Sequence, residues 1–180
     1  MLNDMDLEHL KYPIGKFNMP ITLEKEVIDA WIKDISELPT ILKKLVAGLS
    51  ENEFTLTYRP QGWTIGQIIH HLADSHMNAF IRIKLALTEE NPVIKPYFEE
   101  KWANLPDVSL CNANYSIQIL EGLHARWAIL LNSLSPDDLN RTFYHPEHEL
   151  NFPIINIIGM YAWHSKHHTE HIKIALKNKP

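Results

Sequence analysis

Thr64-Ile65-Gly66-Gln67-Ile68-Ile69-His70-His71-Leu72-Ala73-Asp74-Ser75-His76 opens like a helix and continues like one. Thr64 reads as an N-cap, and Gln67, three residues on, can reach back to its amide, which satisfies two of the free donors of a first turn. Ile65, Ile68, Ile69, Leu72, Phe80, Ile83 and Leu87 then recur at helical spacing and form one apolar stripe. The helix should run to about Thr88, where Asn91-Pro92 stops it.

Three further stretches show the same period. Ile28, Trp31, Ile35, Leu38, Leu42, Leu45 and Leu49 define a first long helix from about Thr22, with Pro39 expected to kink it. Ile117, Leu120, Leu123, Trp127, Leu130 and Leu134 define a third, from about Tyr115 to Leu134. Pro153 opens a fourth that should reach about Lys177. Between them, Ser50 with Glu53 matches a capping box, a short helix is expected around Phe98 to Ala103, and Ser135-Pro136-Asp137-Asp138 starts another. Phe143-Tyr144-His145-Pro146 reads as extended or turn-like. No convincing strand pattern is present, so the expected fold is an all-α four-helix bundle forming a single domain over 1–180, with 1–20 as an extended lead-in. The connections between the long helices exceed ordinary bundle loops, which permits crossovers and leaves material for lids around a site.

Composition narrows the function classes. At 180 residues the chain can bury a full core without staples. A net charge of −5 and the absence of any long basic run argue against a nucleic-acid partner. The first six residues are acidic and carry no apolar core, so they do not read as a secretory signal. No apolar run is long enough to span a membrane. Cys111 is the single cysteine, which excludes an internal disulfide and a cysteine-rich zinc site. These features suit a cytoplasmic protein.

The chemistry lies in the histidines. Eleven occur in the chain, and four of them fall within Trp163-His164-Ser165-Lys166-His167-His168-Thr169-Glu170-His171. Both His164/His168 and His167/His171 are i,i+4 pairs that lie one turn apart on a helix face. A pair from one helix and a third histidine from another make a tripod with open coordination positions, whereas structural zinc sites are usually closed by four protein ligands. His-Glu-x-x-His is absent, so a zincin protease has no support, and Glu170 points about 100° away from its neighbour His171. On the second helix His70 and His71 compete. His71 shares a face with Ser75, Asn78 and Arg82, a polar row beside the apolar stripe, while His76 goes with the core.

The run Gly62 to Asn78 resembles the second-helix signature of the DinB-like proteins, specifically the YfiT-type branch. The similarity continues through Tyr12-Pro13-Ile14-Gly15, Pro92-Val93-Ile94-Lys95-Pro96-Tyr97, Phe143-Tyr144-His145-Pro146 and Trp163-His164 to His171-Ile172. The resemblance implies a four-helix bundle that binds one divalent metal per subunit through three histidines, as a cytoplasmic homodimer. It implies a metal-dependent hydrolase acting on a small molecule, or a transferase of low-molecular-weight thiols such as bacillithiol. By motif position the implied ligands are His71, His167 and His171. His164 and His168 then flank them, with His168 the first substitute. Asp74 is a candidate acceptor for a ligand imidazole, and Ser75 and Asn78 are candidate wall residues. Tyr144 and His145 lie in a loop that could reach the site.

Three neutral imidazoles leave a metal its full charge, which lowers the pKa of bound water to ~7 for zinc and would equally deprotonate a bound thiol. Imidazole ligation suits zinc, nickel, copper or iron. Zinc is the ion expected in the cell, and nickel the expected occupant after purification on a nickel column. No carboxylate is marked as general base. A metal-binding or sensing module without catalysis is the alternative from another class.

Overall fold

A computed structural model describes residues 4–179. Four long helices dominate: α2 (Lys25–Leu45), α3 (Ile65–Thr88), α6 (Ala113–Asn132) and α8 (Ile154–Lys177). α2 packs on α6 and α8, and α3 packs on the same two, so α2 and α3 face each other across a diagonal. The segments 46–64 and 133–153 each carry the chain across the bundle, which is the crossover that the long connections allowed.

The helix boundaries follow local signals. The Thr64 side chain accepts from the Gln67 amide at 3.1 Å, and the Gln67 side chain accepts from the Thr64 amide at 3.0 Å. Capping boxes also form at Ser50/Glu53, opening a 3-10 turn (Glu51–Thr55), and at Ser135/Asp138, opening α7 (Pro136–Asn140). α4 (Glu99–Trp102) and α5 (Pro106–Leu110) lie in the long connection before α6. α2 continues through Pro39, which is buried in the core.

Two expectations are corrected. The lead-in is not wholly extended, because Asp4–Lys11 forms helix α1, with His9 and Lys11 in its last turn to suit the helix dipole. Residues 1–3 lie outside the described residues. A two-stranded hairpin, absent from the sequence reading, pairs β1 (Thr142–His145) with β2 (Leu150–Pro153) in antiparallel register, Phe143 opposite Phe152. Its four-residue strands are too short for alternation to be legible. Just before it, the Arg141 side chain donates to the carbonyls of Ala86 and Glu89, which satisfies free acceptors at the end of α3.

The core comes in two layers. One holds Ile32, Ile35, Phe80, Ile83, Trp127, Phe143, Ile154 and Ile158. The other holds Leu38, Leu42, Ile65, Ile68, Ile69, Leu72, Ile117, Leu120 and Ile172. Each fully buried Leu or Ile contributes roughly 1.5–3 kcal/mol. Along α3, α6 and α8 the apolar sequence is interrupted between the layers by His76, His124 and the His164–His171 group, all buried or nearly so. Among the described residues, no helix is long and apolar enough to cross a membrane.

Candidate metal centre

Five histidines meet where α3 faces α8. His71 comes from α3, and His164, His167, His168 and His171 come from α8 at offsets of zero, three, four and seven, which a 3.6-residue turn places on one face. Their donor nitrogens form two groups in which every donor lies within 4.8 Å of the others: His71, His164 and His168, and His167, His168 and His171. The set His71, His167, His171 implied by the family motif is thus divided between the two. His71 falls in one, its two companions fall in the other, and His168 belongs to both.

The geometry of the first group suits a metal ion. Nε2 of His71 and Nε2 of His164 lie 3.2 Å apart. Ligands at 2.0–2.1 Å from a tetrahedral zinc stand about 3.3 Å from one another. The His168 ring meets both, its centroid 4.9 Å from that of His71 and 4.5 Å from that of His164.

His167 and His171 are held differently. Nε2 of His171 is 3.2 Å from the Lys11 carbonyl, an acceptor left free where α1 ends. Its Nδ1 lies 3.4 Å from Nδ1 of His168, and its ring stacks on Tyr58 with centroids 3.8 Å apart. His167 stacks on Trp163 at 4.4 Å, and its buried Nδ1 has no hydrogen-bond partner.

Burial holds all five rings neutral. It pushes His71 and His171 down to about 4 and His167 to about 3, and it carries His164 and His168 well below the usual imidazole range. Neighbouring imidazoles add to the effect at His164, His167 and His168, while the backbone carbonyls of Lys11 and Leu10 partly oppose it at His171. Neutral imidazole is the form that ligates. The donor set therefore fits a divalent ion of intermediate softness.

Behind the group, inside the bundle, the chain of polar contacts continues. His164 Nδ1 meets His76 Nε2 at 3.1 Å, His76 Nδ1 meets His124 Nε2 at 3.0 Å, and His124 Nδ1 meets the Ile35 carbonyl at 2.5 Å. The sequence reading put His76 in the core and did not single out His124. The signal was present: His124 lies seven residues from Ile117 and three from Trp127, on the buried stripe of α6.

In front of the group lies a cleft of about 520 Å³. Tyr12, Tyr58, Trp63 and Trp163 give it aromatic walls, and Lys11, Arg59, Glu99 and Glu100 give it charges of both signs. None of these had been picked out as site residues, because they come from segments far apart in sequence. Ser75 also lines the cleft, with its Oγ 3.2 Å from the Tyr161 hydroxyl.

The remaining candidates point elsewhere. His70 turns toward α6, where its Nδ1 lies 2.8 Å from Ser116 Oγ. Asp74 makes no hydrogen bond to a histidine; partial burial and the nearby Asp107 raise its carboxyl to about 6. The Asn78 side chain donates to the Asp74 backbone carbonyl. Tyr144 and His145 lie on β1, and the His145 ring packs on His148 and Phe152, away from the cleft.

Comparison with known proteins agrees with this architecture. The profile of the DinB superfamily matches residues 34–172. A protein of Oceanobacillus iheyensis named "Putative metal-dependent hydrolase" is 51% identical over 169 residues, covering 94% of this chain and 97% of its own. A namesake from Bacillus mycoides is 49% identical, covering 92% and 95%. Among solved structures, YfiT from Bacillus subtilis, described as "a probable metal-dependent hydrolase with an unusual four-helix bundle topology", superposes with a TM-score of 0.90 at 41% identity, over 94% of this chain and 97% of that one. A mycothiol-dependent maleylpyruvate isomerase shares the fold, with a TM-score of 0.63 at 16% identity over 81% of this chain and 60% of that one. With a profile spanning most of its length and relatives half identical nearly end to end, the chain belongs to the DinB superfamily.

Proposed function

We propose that this protein is a metal-dependent hydrolase of a small molecule, with a divalent ion, zinc in the cell, held by His71, His164 and His168. The observation that carries the reading is the convergence of three neutral imidazoles from two helices, two with Nε2 atoms 3.2 Å apart, beside an open cleft. Such an ion supplies Lewis acidity, polarising a substrate oxygen and acidifying a bound water or thiol. The protein's part is to hold three ligands and no more, to line the approach with Trp63 and Trp163, and to offer Lys11 and Arg59 to an anionic substituent. A second ligation, His71 with His167 and His171, draws support from the unpartnered buried Nδ1 of His167.

Transfer of a low-molecular-weight thiol is the second reading. One observation favours it: among the described residues neither histidine group includes a carboxylate, and the carboxylates of the cleft, Glu99 and Glu100, stand outside both groups. The test is to incubate zinc-loaded protein with panels of esters, amides and alkylating electrophiles, with and without a small thiol. Thiol-independent hydrolysis lost in His71→Ala supports the hydrolase. A conjugate that needs the thiol and disappears in the same variant supports the transferase. The absence of metal-dependent turnover in both panels would leave a binding module.

A further inference from the structure

We infer that His76 and His124 are positioning residues: anchored on the Ile35 carbonyl, they fix the tautomer and orientation of His164 so that its Nε2 is left bare toward His71. The inference rests on His164 being a ligand, as proposed above.

The argument is a count of protons. A carbonyl oxygen only accepts, so Nδ1 of His124 donates to Ile35. A neutral imidazole has one N–H, so Nε2 of His124 accepts, and Nδ1 of His76 must be the donor across their 3.0 Å contact. Nε2 of His76 is then bare and accepts from Nδ1 of His164 at 3.1 Å. That leaves Nε2 of His164 without a proton, 3.2 Å from Nε2 of His71. Only this placement satisfies all three contacts. Any other sets two N–H groups or two lone pairs against each other in the interior, where unsatisfied polar groups are costly.

Burial favours the neutral form, since His76 and His124 are closed off from solvent on every side. The packing supports a purpose beyond filling space. His76 and His124 stack at 4.9 Å between two apolar layers, where aliphatic side chains would bring no polar atoms to satisfy. Ligand histidines generally donate their second nitrogen to an acceptor that sets ring and tautomer. Here the acceptor is another imidazole, and the backbone oxygen that decides the polarity lies two residues further in, on α2.

The experiment is long-range ¹⁵N–¹H correlation on metal-free, ¹⁵N-histidine-labelled full-length protein near pH 7.5, with zinc affinity measured by competition titration. His164 should carry its proton on Nδ1. In His124→Phe, with the helical signal intact, that preference should relax toward a mixture of tautomers, and zinc Kd should rise about 10- to 100-fold. His124→Gln, whose amide oxygen can accept from His76, should stay within a few-fold of wild type. A proton on Nε2 of His164 in the wild type overturns the inference, even if His124→Phe does not fold. Wild-type tautomer and zinc affinity in a folded His124→Phe overturn it equally. Undiminished zinc binding in His164→Ala removes the ligation reading as well, whereas a failure of the tautomer alone leaves that reading standing.

Discussion

Nε2 of His71 and Nε2 of His164 stand 3.2 Å apart across the α3–α8 interface. Without metal the two nitrogens share one proton as a hydrogen bond, and a cation that displaces that proton gains two ligand bonds in its place. His71→Ala, His164→Ala and His168→Ala should each lose most of the bound metal, as read by elemental analysis after dialysis. His167→Ala should keep it. Loss of metal in His167→Ala and His171→Ala, with retention in His164→Ala and His168→Ala, would move the ion to the other ligation.

Metal removal should weaken the protein without unfolding it. The two apolar layers close without any contribution from the histidine group, unlike the core of a zinc finger. Chelation should lower the melting temperature while the far-ultraviolet circular dichroism at 25 °C stays helical. Collapse of that signal on chelation would make the ion structural.

Acid should destabilise the metal-free protein over a defined window. Burial depresses His124 from 6.5 to about 4, so the unfolded chain takes up a proton that the folded chain refuses. Its contribution is complete above about pH 6.5 and lost as pH falls toward 4, on the order of 3 kcal/mol for this one fully buried ring. Urea unfolding should show stability falling from pH 7.5 to 4.5, with a shallower slope in His124→Phe. Equal slopes would mean that the ring is hydrated enough to titrate normally.

Asp74 should act in the opposite direction. Its folded-state pKa is raised to about 6, by partial burial first and by Asp107 second. The unfolded chain ionises more readily between 3.8 and 6, so the penalty is absent at low pH and full above about pH 6. Asp74→Asn should therefore stabilise the protein at pH 8, by about 1 kcal/mol once the shift is discounted for solvent screening of a half-exposed carboxyl, and make little difference at pH 4. A destabilised Asp74→Asn at pH 8 would reveal a partner for the carboxylate.

Gly159 sets how closely α8 approaches α2. A Cβ added there would lie 2.9 Å from Cη2 of Trp31 and 3.1 Å from Cζ of Phe17. Both are rigid rings, so Gly159→Ala should cost about 1–3 kcal/mol through overpacking, despite the better helix propensity of alanine. The readout is the urea midpoint, and an unchanged or raised value would show that the aromatic pair can shift aside.

The helices were legible in the sequence because their signals are local. Thr64 with Gln67, Ser50 with Glu53 and Ser135 with Asp138 each close a hydrogen-bonded box within four residues, and the apolar stripes declare their period within a few turns. The same locality made the histidine-rich face of α8 visible, together with the need for a partner on another helix. Helix α1 and the hairpin were missed because each is too short to be stable alone and exists through docking, α1 partly through His171 on the Lys11 carbonyl. The choice among His164, His167, His168 and His171 could not be read from spacing, since all four share one face. Tertiary structure alone places His71 opposite His164, turns His171 to a backbone oxygen, and brings His124 and Ile35, from two other helices, behind the group. Period fixes which residues share a face of one helix, but ligand geometry depends on how neighbouring helices are rotated and staggered, and that is decided by packing across the whole core.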